Sequence, residues 1–521
     1  MGTKFVDSFE AIVSLKANVV KSKNTVASIG VQSRGIAIKE CDAQTDVGTD
    51  TASQTDDHRS EVADSKVEDS SYNWHTLNDF LLRSEPLVLR TIADNRRTAR
   101  LFAVYDAASM ADEWEAHVSL EHTLRSDTDW PAGAQALCVA WNSSGTTVGV
   151  ACGRMSHDDW CTHRGFVMTW NVDRGRLNPN KADHVYETVS CCTYLAFHPT
   201  IPNLFATCTY TGDVLVWSLS EEGDPIASAQ VADQGPINCV AWLPQLSTAD
   251  ALMFASSGAD GRVLIWAVPS KGRTLGLAKA FQLTVANLPR SVRGKVSGEN
   301  KGTGSGTIAF ARPPLTSRFV VGTETGGVFQ CSIETSGANE VGGRAMVAGS
   351  DRPTPCCDPV VLAQKPHNGP VYKVAFHSRE PTTMASCGAD GFVRIGAAFQ
   401  TLPSLEIDTN SGCLFDMSWS PVRSCVLACA ASNGRLLVFD LSRARDRPFL
   451  NIEATSQDRV GALMAVAFNT RRAHIVATGD ASGYVKVWNL GEAFASTQAR
   501  EEQLLQELVA SAAGSGEISG K

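Results

Sequence analysis

Four residues between positions 152 and 163 have side chains that bind metal ions: Cys152, His157, Cys161 and His163. Thiolate sulfur and imidazole nitrogen are the ligands that zinc prefers in proteins. Their spacing matches none of the common zinc patterns, and they fall in an insertion between two predicted strands. We therefore interpret this segment as a polar surface loop with cysteines at the strand ends, and we predict no metal and no cofactor.

The other candidate sites form no catalytic arrangement. The glycine-rich stretch 298–306 follows no predicted strand and lacks the Gly-Lys-Ser/Thr ending of a phosphate-binding loop, so we interpret it as a linker. His198 and His377 adjoin predicted strands and are interpreted as turn or packing residues. Because the pattern brings no nucleophile, base and orienting group together, we predict that the chain is not an enzyme.

A short direct repeat lies in the first 72 residues. Residues 1–72 contain few large apolar side chains, so we predict a disordered tail. Two copies of a small residue followed by Gln-Thr-Asp stand ten residues apart, and this duplication favours a binding motif. The alternative is that both triplets occur by chance. The motif residues are Ala43, Gln44, Thr45 and Asp46, and Ser53, Gln54, Thr55 and Asp56.

Residues 73–98 carry apolar side chains at helical spacing. We predict two short helical stretches, with Ser84 as a cap and Pro86 in the first turn of the second. Such short helices need a partner for their apolar face, which is either another protein or the outside of the chain's own folded domain. The side chains on this face are Leu77, Phe80, Leu81, Leu87, Val88 and Ile92.

Seven segments repeat one pattern, a glycine turn followed by an apolar run that ends on Trp or a replacement. Repeats of roughly 40 to 50 residues are typical of four-stranded blades. We therefore predict an all-β fold, a seven-bladed β-propeller over residues 99–490. The repeat near Ile308 is degenerate and another closes on Gly396, so we expect weaker packing there. The segments begin at Gly165, Gly212, Gly261, Gly326, Gly391, Gly434 and Gly483.

Three further segments belong to this prediction. Insertions after Trp266 and between Cys331 and Pro370 either enlarge one rim of the ring or are solvent-facing loops. Residues 491–521 are predicted to form a C-terminal helix and a flexible end. The apolar residues of that helix are predicted to dock on the ring, with a neighbouring protein as the alternative, and they are Leu504, Leu505, Leu508 and Val509.

Composition excludes several classes of function. The 521 residues carry a formal net charge of −9, whereas a dedicated nucleic-acid binder needs a basic surface. No window is apolar enough for a membrane span, so we predict no membrane insertion. The 15 cysteines form no Cys-x-x-Cys pair and are expected to be reduced thiols of a cytosolic protein.

The seven repeats resemble WD-repeat propellers, although only Phe439-Asp440 approximates the Trp-Asp ending. The run Phe80–Arg90, followed by Asn95–Phe102 and Tyr105, resembles the segment that joins the tail to the propeller in dynein intermediate chains. The order of Gln-Thr motifs, helix and ring is also that of the family. Within it the chain is most similar to the cytoplasmic dynein 2 members, since residues 1–40 show none of the heptads of dynein 1 chains. Arg100–Phe102 replaces the family's Phe-Asp-Gly.

This resemblance implies a role and a set of partners. It implies a non-catalytic subunit that links the dynein 2 heavy chain to light chains for retrograde intraflagellar transport and cilium assembly. The Gln-Thr motifs would bind the eight-kilodalton dynein light chain, the helix a roadblock-type light chain, and a second intermediate chain would stand beside it. The expected location is the cytoplasm, the cytoskeleton, and the cilium or flagellum with its basal body. An axonemal outer-arm intermediate chain and a general WD-repeat scaffold remain as alternatives.

Overall fold

A computed structural model describes residues 74–102 and 117–511 of the chain. Within these ranges it does not describe residues 128, 132, 158–159, 222, 232–234, 249–250, 285–303, 312–314, 316, 335–339, 349–352, 399, 456–460 and 499. The chain divides into two units at Tyr105 and Asp106. In the described residues of the first unit there is one helix, α1 (Trp74–Phe102). The second contains thirty strands in the described residues, a short 3-10 helix (Glu492–Phe494) and helix α2 (Glu501–Ser511).

The strands form seven sheets, which are the predicted blades and are antiparallel except where β18 joins β13. Blade 1 contains β2 (Gln135–Trp141), β3 (Thr147–Gly153), β4 (Gly165–Asn171) and β5 (His184–Thr188), and blade 2 contains β6 (Cys192–Phe197), β7 (Leu204–Thr209), β8 (Asp213–Ser218) and β9 (Ala227–Gln230). Blade 3 contains β10 (Ile237–Trp242), β11 (Ala251–Gly258), β12 (Arg262–Pro269) and β13 (Gly276–Gln282). Blade 4 contains β14 (Ser305–Phe310), β15 (Arg318–Thr323), β16 (Val328–Ser332) and β19 (Val360–Ala363).

The remaining blades complete the ring. Blade 5 contains β20 (Val371–Phe376), β21 (Thr383–Gly388), β22 (Phe392–Ala397) and β23 (Leu405–Asp408). Blade 6 contains β24 (Leu414–Trp419), β25 (Val426–Ala431), β26 (Arg435–Asp440) and β27 (Leu450–Glu453). Blade 7 contains β28 (Leu463–Phe468), β29 (Ile475–Asp480) and β30 (Val485–Asn489), together with β1 (Ser119–Leu124) from the start of the domain. The seven-bladed all-β fold is confirmed.

Three of the four closing Trp residues are fixed by a hydroxyl ten residues earlier, whereas the indole nitrogen of Trp170 in blade 1 has no such partner among the described residues. The indole N–H groups of Trp217, Trp266 and Trp488 donate to Thr207, Ser256 and Thr478 at 3.1, 2.8 and 3.0 Å. Each pair joins the third strand of a blade to its second strand, so the large ring is buried with its one polar group satisfied. This bond explains why Trp recurs at the end of the pattern.

The glycine turns behave as the sequence predicts. A two-residue hairpin requires a positive φ, which glycine adopts without strain. Six of the seven repeat glycines have φ between 75° and 90°: Gly212, Gly261, Gly326, Gly391, Gly434 and Gly483. Gly165 is the exception, because the insertion in blade 1 replaces its tight turn with a longer loop.

Every innermost strand contains a β-bulge after its first paired residue. A bulge leaves one residue out of the strand pairing and turns its neighbours. In all seven blades the skipped residue lines the central channel of the ring. These residues are Leu137, Thr193, Asn238, Gly306, Tyr372, Phe415 and Met464.

Strand β1 closes the ring by pairing with β30, from Ser119 opposite Asn489 to Leu124 opposite Val485. Side chains join the same two ends. The Trp141 indole N–H donates to the carbonyl of Ala467 at 3.2 Å, and the Asn469 amide donates to the carbonyl of Gly145 at 2.8 Å. Blade 7 therefore consists of strands from both ends of the domain sequence.

Blade 5 replaces its Trp with a different set of contacts. The hydroxyl of Ser386, which a Trp would bind, pairs with His367 Nε2 at 2.9 Å, and His367 Nδ1 pairs with Asp390 at 2.9 Å. A Cβ on Gly396 would lie 3.3 Å from the Cα of Pro403, so the backbone occupies space near the missing ring. The expected local weakness is therefore offset by this buried polar network and by close backbone packing.

The insertion between Cys331 and Pro370 extends blade 3. Strands β17 (Glu340–Ala345) and β18 (Thr354–Cys357) pair with each other, and β18 adds in parallel to β13 at Ala280 and Phe281. Blade 3 thus has six strands, with the insertion covering the edge that β13 would expose. The insertion after Trp266 includes β13, and its residues 285–303 lie outside the described part of the chain.

Helix α2 docks on blades 5 and 6, as the sequence predicts. Leu505 and Val509 are buried against the core of these blades, with Leu504 and Leu508 packed beside them. The hydroxyl of Ser404 donates to the carbonyl of Val509 at 2.9 Å. The helix therefore covers the outer side of the ring next to the position where blade 5 lacks its Trp.

Arg423 links this helix to the ring and is only 1% exposed. Its guanidinium donates to Glu501 of α2, to Asp440 of β26 at 3.0 Å and to the carbonyl of Ala493 at 2.8 Å. Burial disfavours its charge, but the two carboxylates raise the pKa of Arg423 above its usual value. The sequence reasoning missed this residue, because its partners are distant in sequence.

We expect Arg423→Ala to lower the free energy of unfolding by about 3–5 kcal/mol, because it leaves two buried carboxylates without their cation. Arg435→Ala is the control, since its ion pair with Glu453 is 40% and 62% exposed and such pairs contribute about 0–1 kcal/mol. Urea denaturation of both variants measures the difference. Equal stability of the two variants would contradict a structural role for Arg423.

Candidate interaction sites

The eight tail residues that the sequence singles out lie outside the described part of the chain. They are Ala43, Gln44, Thr45, Asp46, Ser53, Gln54, Thr55 and Asp56. Their assignment as a light-chain-binding motif therefore remains a prediction from the sequence.

Helix α1 is continuous, and the prediction of two separate helical stretches is wrong. It runs for 29 residues with Pro86 inside it. Ser84 does not cap a second helix, because its hydroxyl donates to the carbonyl of Phe80 one turn earlier at 2.7 Å. Pro86 has no N–H to donate to the preceding turn, but this loss of one bond does not end the helix.

The six predicted apolar residues share one face of α1. At about 100° per residue they fall within an arc of about 140°. All six are exposed, from 44% for Leu77 to 68% for Leu87. The sequence reasoning missed two neighbours, Leu82 and Leu89, which are 59% and 58% exposed and widen the apolar face. We call these eight residues the apolar stripe: Leu77, Phe80, Leu81, Leu82, Leu87, Val88, Leu89 and Ile92.

Two hydroxyl groups on the stripe are satisfied within the helix. Ser84 donates to Phe80 as described, and Thr91 donates to the carbonyl of Leu87 at 2.7 Å. A partner that covers the stripe therefore need not supply acceptors for these donors, which would otherwise carry a desolvation penalty. Neither helix of the described residues is both long and apolar enough to cross a membrane.

The central channel of the ring encloses a cavity of about 470 Å³. Inside it, the ammonium of Lys373 lies 2.9 Å from the carboxylate of Asp416 and donates to the hydroxyl of Tyr194 at 2.8 Å. Asp416 in turn accepts the backbone N–H of Val466 at 3.0 Å. These groups come from blades 2, 5, 6 and 7, so the network joins opposite sides of the channel.

The channel groups are suited to structural roles. Burial opposes the charge of Lys373, but Asp416 and Tyr194 hold its pKa well above the usual value, so the amine remains protonated. Burial raises the pKa of the nearby Cys138 thiol to about 12. An ammonium and a neutral thiol are both poor nucleophiles at physiological pH. Lys373 and Asp416 therefore form an ion pair inside the channel.

His198 and His377 have the packing roles that the sequence predicts. Nδ1 of His198 accepts the backbone N–H groups of Thr200 and Ile201 at 3.2 and 3.1 Å. His377 accepts the corresponding N–H groups two and three residues later, at 3.2 and 2.9 Å. Their rings stand edge-on to Trp242 and Trp419, with centroids 4.8 and 4.9 Å apart. Of the glycine-rich stretch, residues 298–303 lie outside the described part.

The cysteine and histidine residues near blade 1 form a different group from the one that their positions in the sequence suggest. His157, Cys161 and His163 come together, but Cys152 does not join them, because it points into the core of blade 1. Cys191, from the connection between blades 1 and 2, takes the fourth place. Burial lowers the pKa of His157, with added repulsion from His163 and Arg154, and burial raises the pKa of Cys191 to about 11.

Comparison with known proteins identifies the repeats. The family described as "WD domain, G-beta repeat" matches residues 225–267 and 360–395. Each match starts at the outer strand of one blade and continues into the inner strands of the next, from β9 to β12 and from β19 to β22. The second match thus includes three strands of blade 5, although that blade closes on Gly396 and not on Trp.

Comparison with whole proteins gives much longer matches. The chain is 34% identical over 485 residues to cytoplasmic dynein 2 intermediate chain 2 of Mus musculus, which covers 92% of this chain and 87% of the mouse protein. The match to the protein of the same name from Homo sapiens is 32% identical and covers 85% of this chain and 81% of the human protein. The match to dynein axonemal intermediate chain 4 of Mus musculus is 24% identical and covers 71% of this chain and 44% of that protein. Both identity and coverage are higher for the dynein 2 proteins.

We expect Lys373→Met to lower the free energy of unfolding by about 3 kcal/mol, because the buried carboxyl group of Asp416 would lose its ion-pair partner. Lys365→Met is the control, since its pair with Glu406 is 44% and 30% exposed. Urea denaturation measures the free energy of unfolding of both variants, and we expect that of the control to lie within about 1 kcal/mol of the parent. A Lys373→Met protein as stable as the control would show that the channel network contributes nothing.

Proposed function

The chain belongs to the dynein intermediate chain family, and from this premise we propose that it is a non-catalytic subunit of a dynein 2 motor. Its role would be to join the motor heavy chain to light chains for retrograde intraflagellar transport and cilium assembly. The observation that carries this proposal is the similarity over 92% of the chain to a dynein 2 intermediate chain. The cilium or flagellum, with its basal body and the adjoining cytoplasm and cytoskeleton, is the proposed location.

We assign heavy-chain binding to the propeller. A closed ring of blades is rigid and offers two wide faces made of loops, which is suited to gripping another protein. The buried network of Lys373 and the anchor of Arg423 support this assignment, because they fix blades 5 and 6 and helix α2 as one body. A second intermediate chain would hold the other heavy chain of the motor.

We assign binding of a roadblock-type light chain to the apolar stripe of α1. Eight large apolar side chains, each 44–68% exposed, lie on a helix whose facing hydroxyls are already bonded. A surface of this kind fits the helix-in-groove mode of recognition, in which one apolar face enters a hydrophobic groove. The polar residues Asp79 and Arg83 lie on the opposite side and would face solvent.

We assign binding of the eight-kilodalton light chain to the two Gln-Thr motifs. Ten residues span about 33–36 Å when extended, which leaves room for two light-chain dimers in sequence. Two motifs in one tail raise the effective concentration of the second after the first has bound. The support for this assignment is the motif sequence and its duplication.

We expect the double change Gln44→Ala and Gln54→Ala to abolish recovery of the eight-kilodalton light chain with the tagged chain from ciliated cells. Each single change should reduce recovery at least tenfold by removing the avidity of paired sites. Heavy-chain recovery should be unchanged. Gln32→Ala, in the same tail but outside the motifs, is the control, and recovery equal to that control would refute the motif assignment.

We expect the double change Leu81→Asp and Val88→Asp to reduce recovery of the roadblock-type light chain at least tenfold, since burying a carboxylate in an apolar groove is unfavourable. The eight-kilodalton light chain and the heavy chain should still co-purify. Arg83→Asp, on the polar side of the same helix, is the control. Complete absence of a dynein heavy chain from every one of these preparations would overturn the proposed function itself.

A further inference from the structure

The loop between β3 and β4 brings four metal-binding side chains into one cluster. The ligand atoms of His157, Cys161, His163 and Cys191 all lie within 4.8 Å of one another. In a tetrahedral zinc site with metal–ligand distances of about 2.0–2.3 Å, the donor atoms are about 3.3–3.8 Å apart. Small side-chain rotations would close the cluster to that geometry. Two thiols and two imidazoles also match a common donor set of structural zinc.

Two glycines explain why Cys191 reaches this loop. A Cβ on Gly153 would lie 2.6 Å from the carbonyl oxygen of Cys192, and a Cβ on Gly165 would collide with the carbonyl of Ser190. Only glycine therefore allows the ends of β3 and β4 to approach the connection between blades 1 and 2 so closely. The loop that starts and ends at these glycines is held directly against Cys191.

Buried nitrogen atoms in the cluster have no hydrogen-bond partner. Among the described residues, these atoms are both ring nitrogens of His157 and Nδ1 of His163. Leaving a buried polar atom unpaired is unfavourable, and a native structure usually has a reason for it, such as an ion. The ring of His157 is held in place by stacking on Tyr210, with ring centroids 3.9 Å apart.

The sulfur atoms are already supported by neighbouring groups. The backbone N–H of Cys191 donates to Sγ of Cys161 at 3.4 Å. An N–H donor of this kind stabilises a thiolate, and such outer contacts orient the ligands of metal sites. Cys161 and Cys191 are 5% and 1% exposed. Bulk water therefore cannot reach the site to displace their sulfur atoms from a bound ion.

We propose that His157, Cys161, His163 and Cys191 bind one zinc ion in a closed, four-ligand structural site. The ion fixes the blade 1 loop to the start of blade 2. Each cysteine thiol loses its proton to solvent when the ion binds, and no electron transfer is involved. Arg154 and Tyr210 adjoin the cluster and also line the central channel, so the ion would set the shape of one channel mouth.

Zinc content of the full-length protein tests this site. Protein stripped with a chelator and dialysed against zinc chloride should retain one zinc ion per chain by plasma mass spectrometry. Cobalt in place of zinc should give the visible bands of a tetrahedral ion and the near-ultraviolet band of thiolate coordination. Zinc affinity should rise with pH, because binding displaces thiol protons.

Cys191→Ser and His163→Asn should each weaken zinc binding at least tenfold and remove the increase in melting temperature that zinc produces. Cys413→Ser, a half-buried cysteine outside the cluster, is the matched control and should bind zinc like the parent. Parent protein without bound zinc, or zinc retained equally by Cys191→Ser, would overturn the proposal. A disulfide between Cys161 and Cys191, detected by mass spectrometry of protein purified without reductant, would also overturn it.

Discussion

The pairing of β1 with β30 closes the ring, and the rest of the propeller depends on it. The two strands come from opposite ends of the domain sequence, with Ser119 opposite Asn489. Joining ends so far apart opposes folding by about 5 kcal/mol of loop-closure entropy. The strand pairing, the bond from Trp141 to Ala467 and the bond from Asn469 to Gly145 all act at this junction. Only after closure do the seven inner strands surround a channel, and their bulged residues then face a common space.

Buried charges fix the relative positions of distant blades within the ring. The network of Tyr194, Lys373, Asp416 and Val466 spans the channel, and Arg423 joins blade 6 to helix α2. A buried ion pair adds little net stability compared with apolar packing, yet losing one partner is strongly destabilising. We infer that these pairs specify a single arrangement of blades and that hydrophobic packing supplies most of the folding free energy. Because ion pairs specify the arrangement and packing supplies the stability, the drifted repeats tolerate the loss of a Trp.

The sequence predicts what is periodic and misses what depends on distant contacts. Blade count, glycine turns and docking of α2 follow from local patterns, because each blade repeats the same buried positions. Strand β18 pairs with β13 across an insertion, and no local pattern indicates that partner. Cys191 was missed for the same reason, although the alternation of strands places the β3–β4 loop and the β5–β6 connection on one face of the ring. The continuous α1 was missed because Pro86 was interpreted as a helix start.

The ring and α1 differ in how much of their apolar surface is buried. The described blades bury most of their large apolar side chains, whereas the stripe of α1 leaves eight of them 44–68% exposed. Pro86 disfavours the helix by about 3 kcal/mol. Covering the exposed half of eight large side chains would return about 1 kcal/mol each, which exceeds that penalty. In the proposed function, formation of the helix is therefore coupled to binding of a light chain at the stripe. The ring, in contrast, is stabilised by contacts between its own blades.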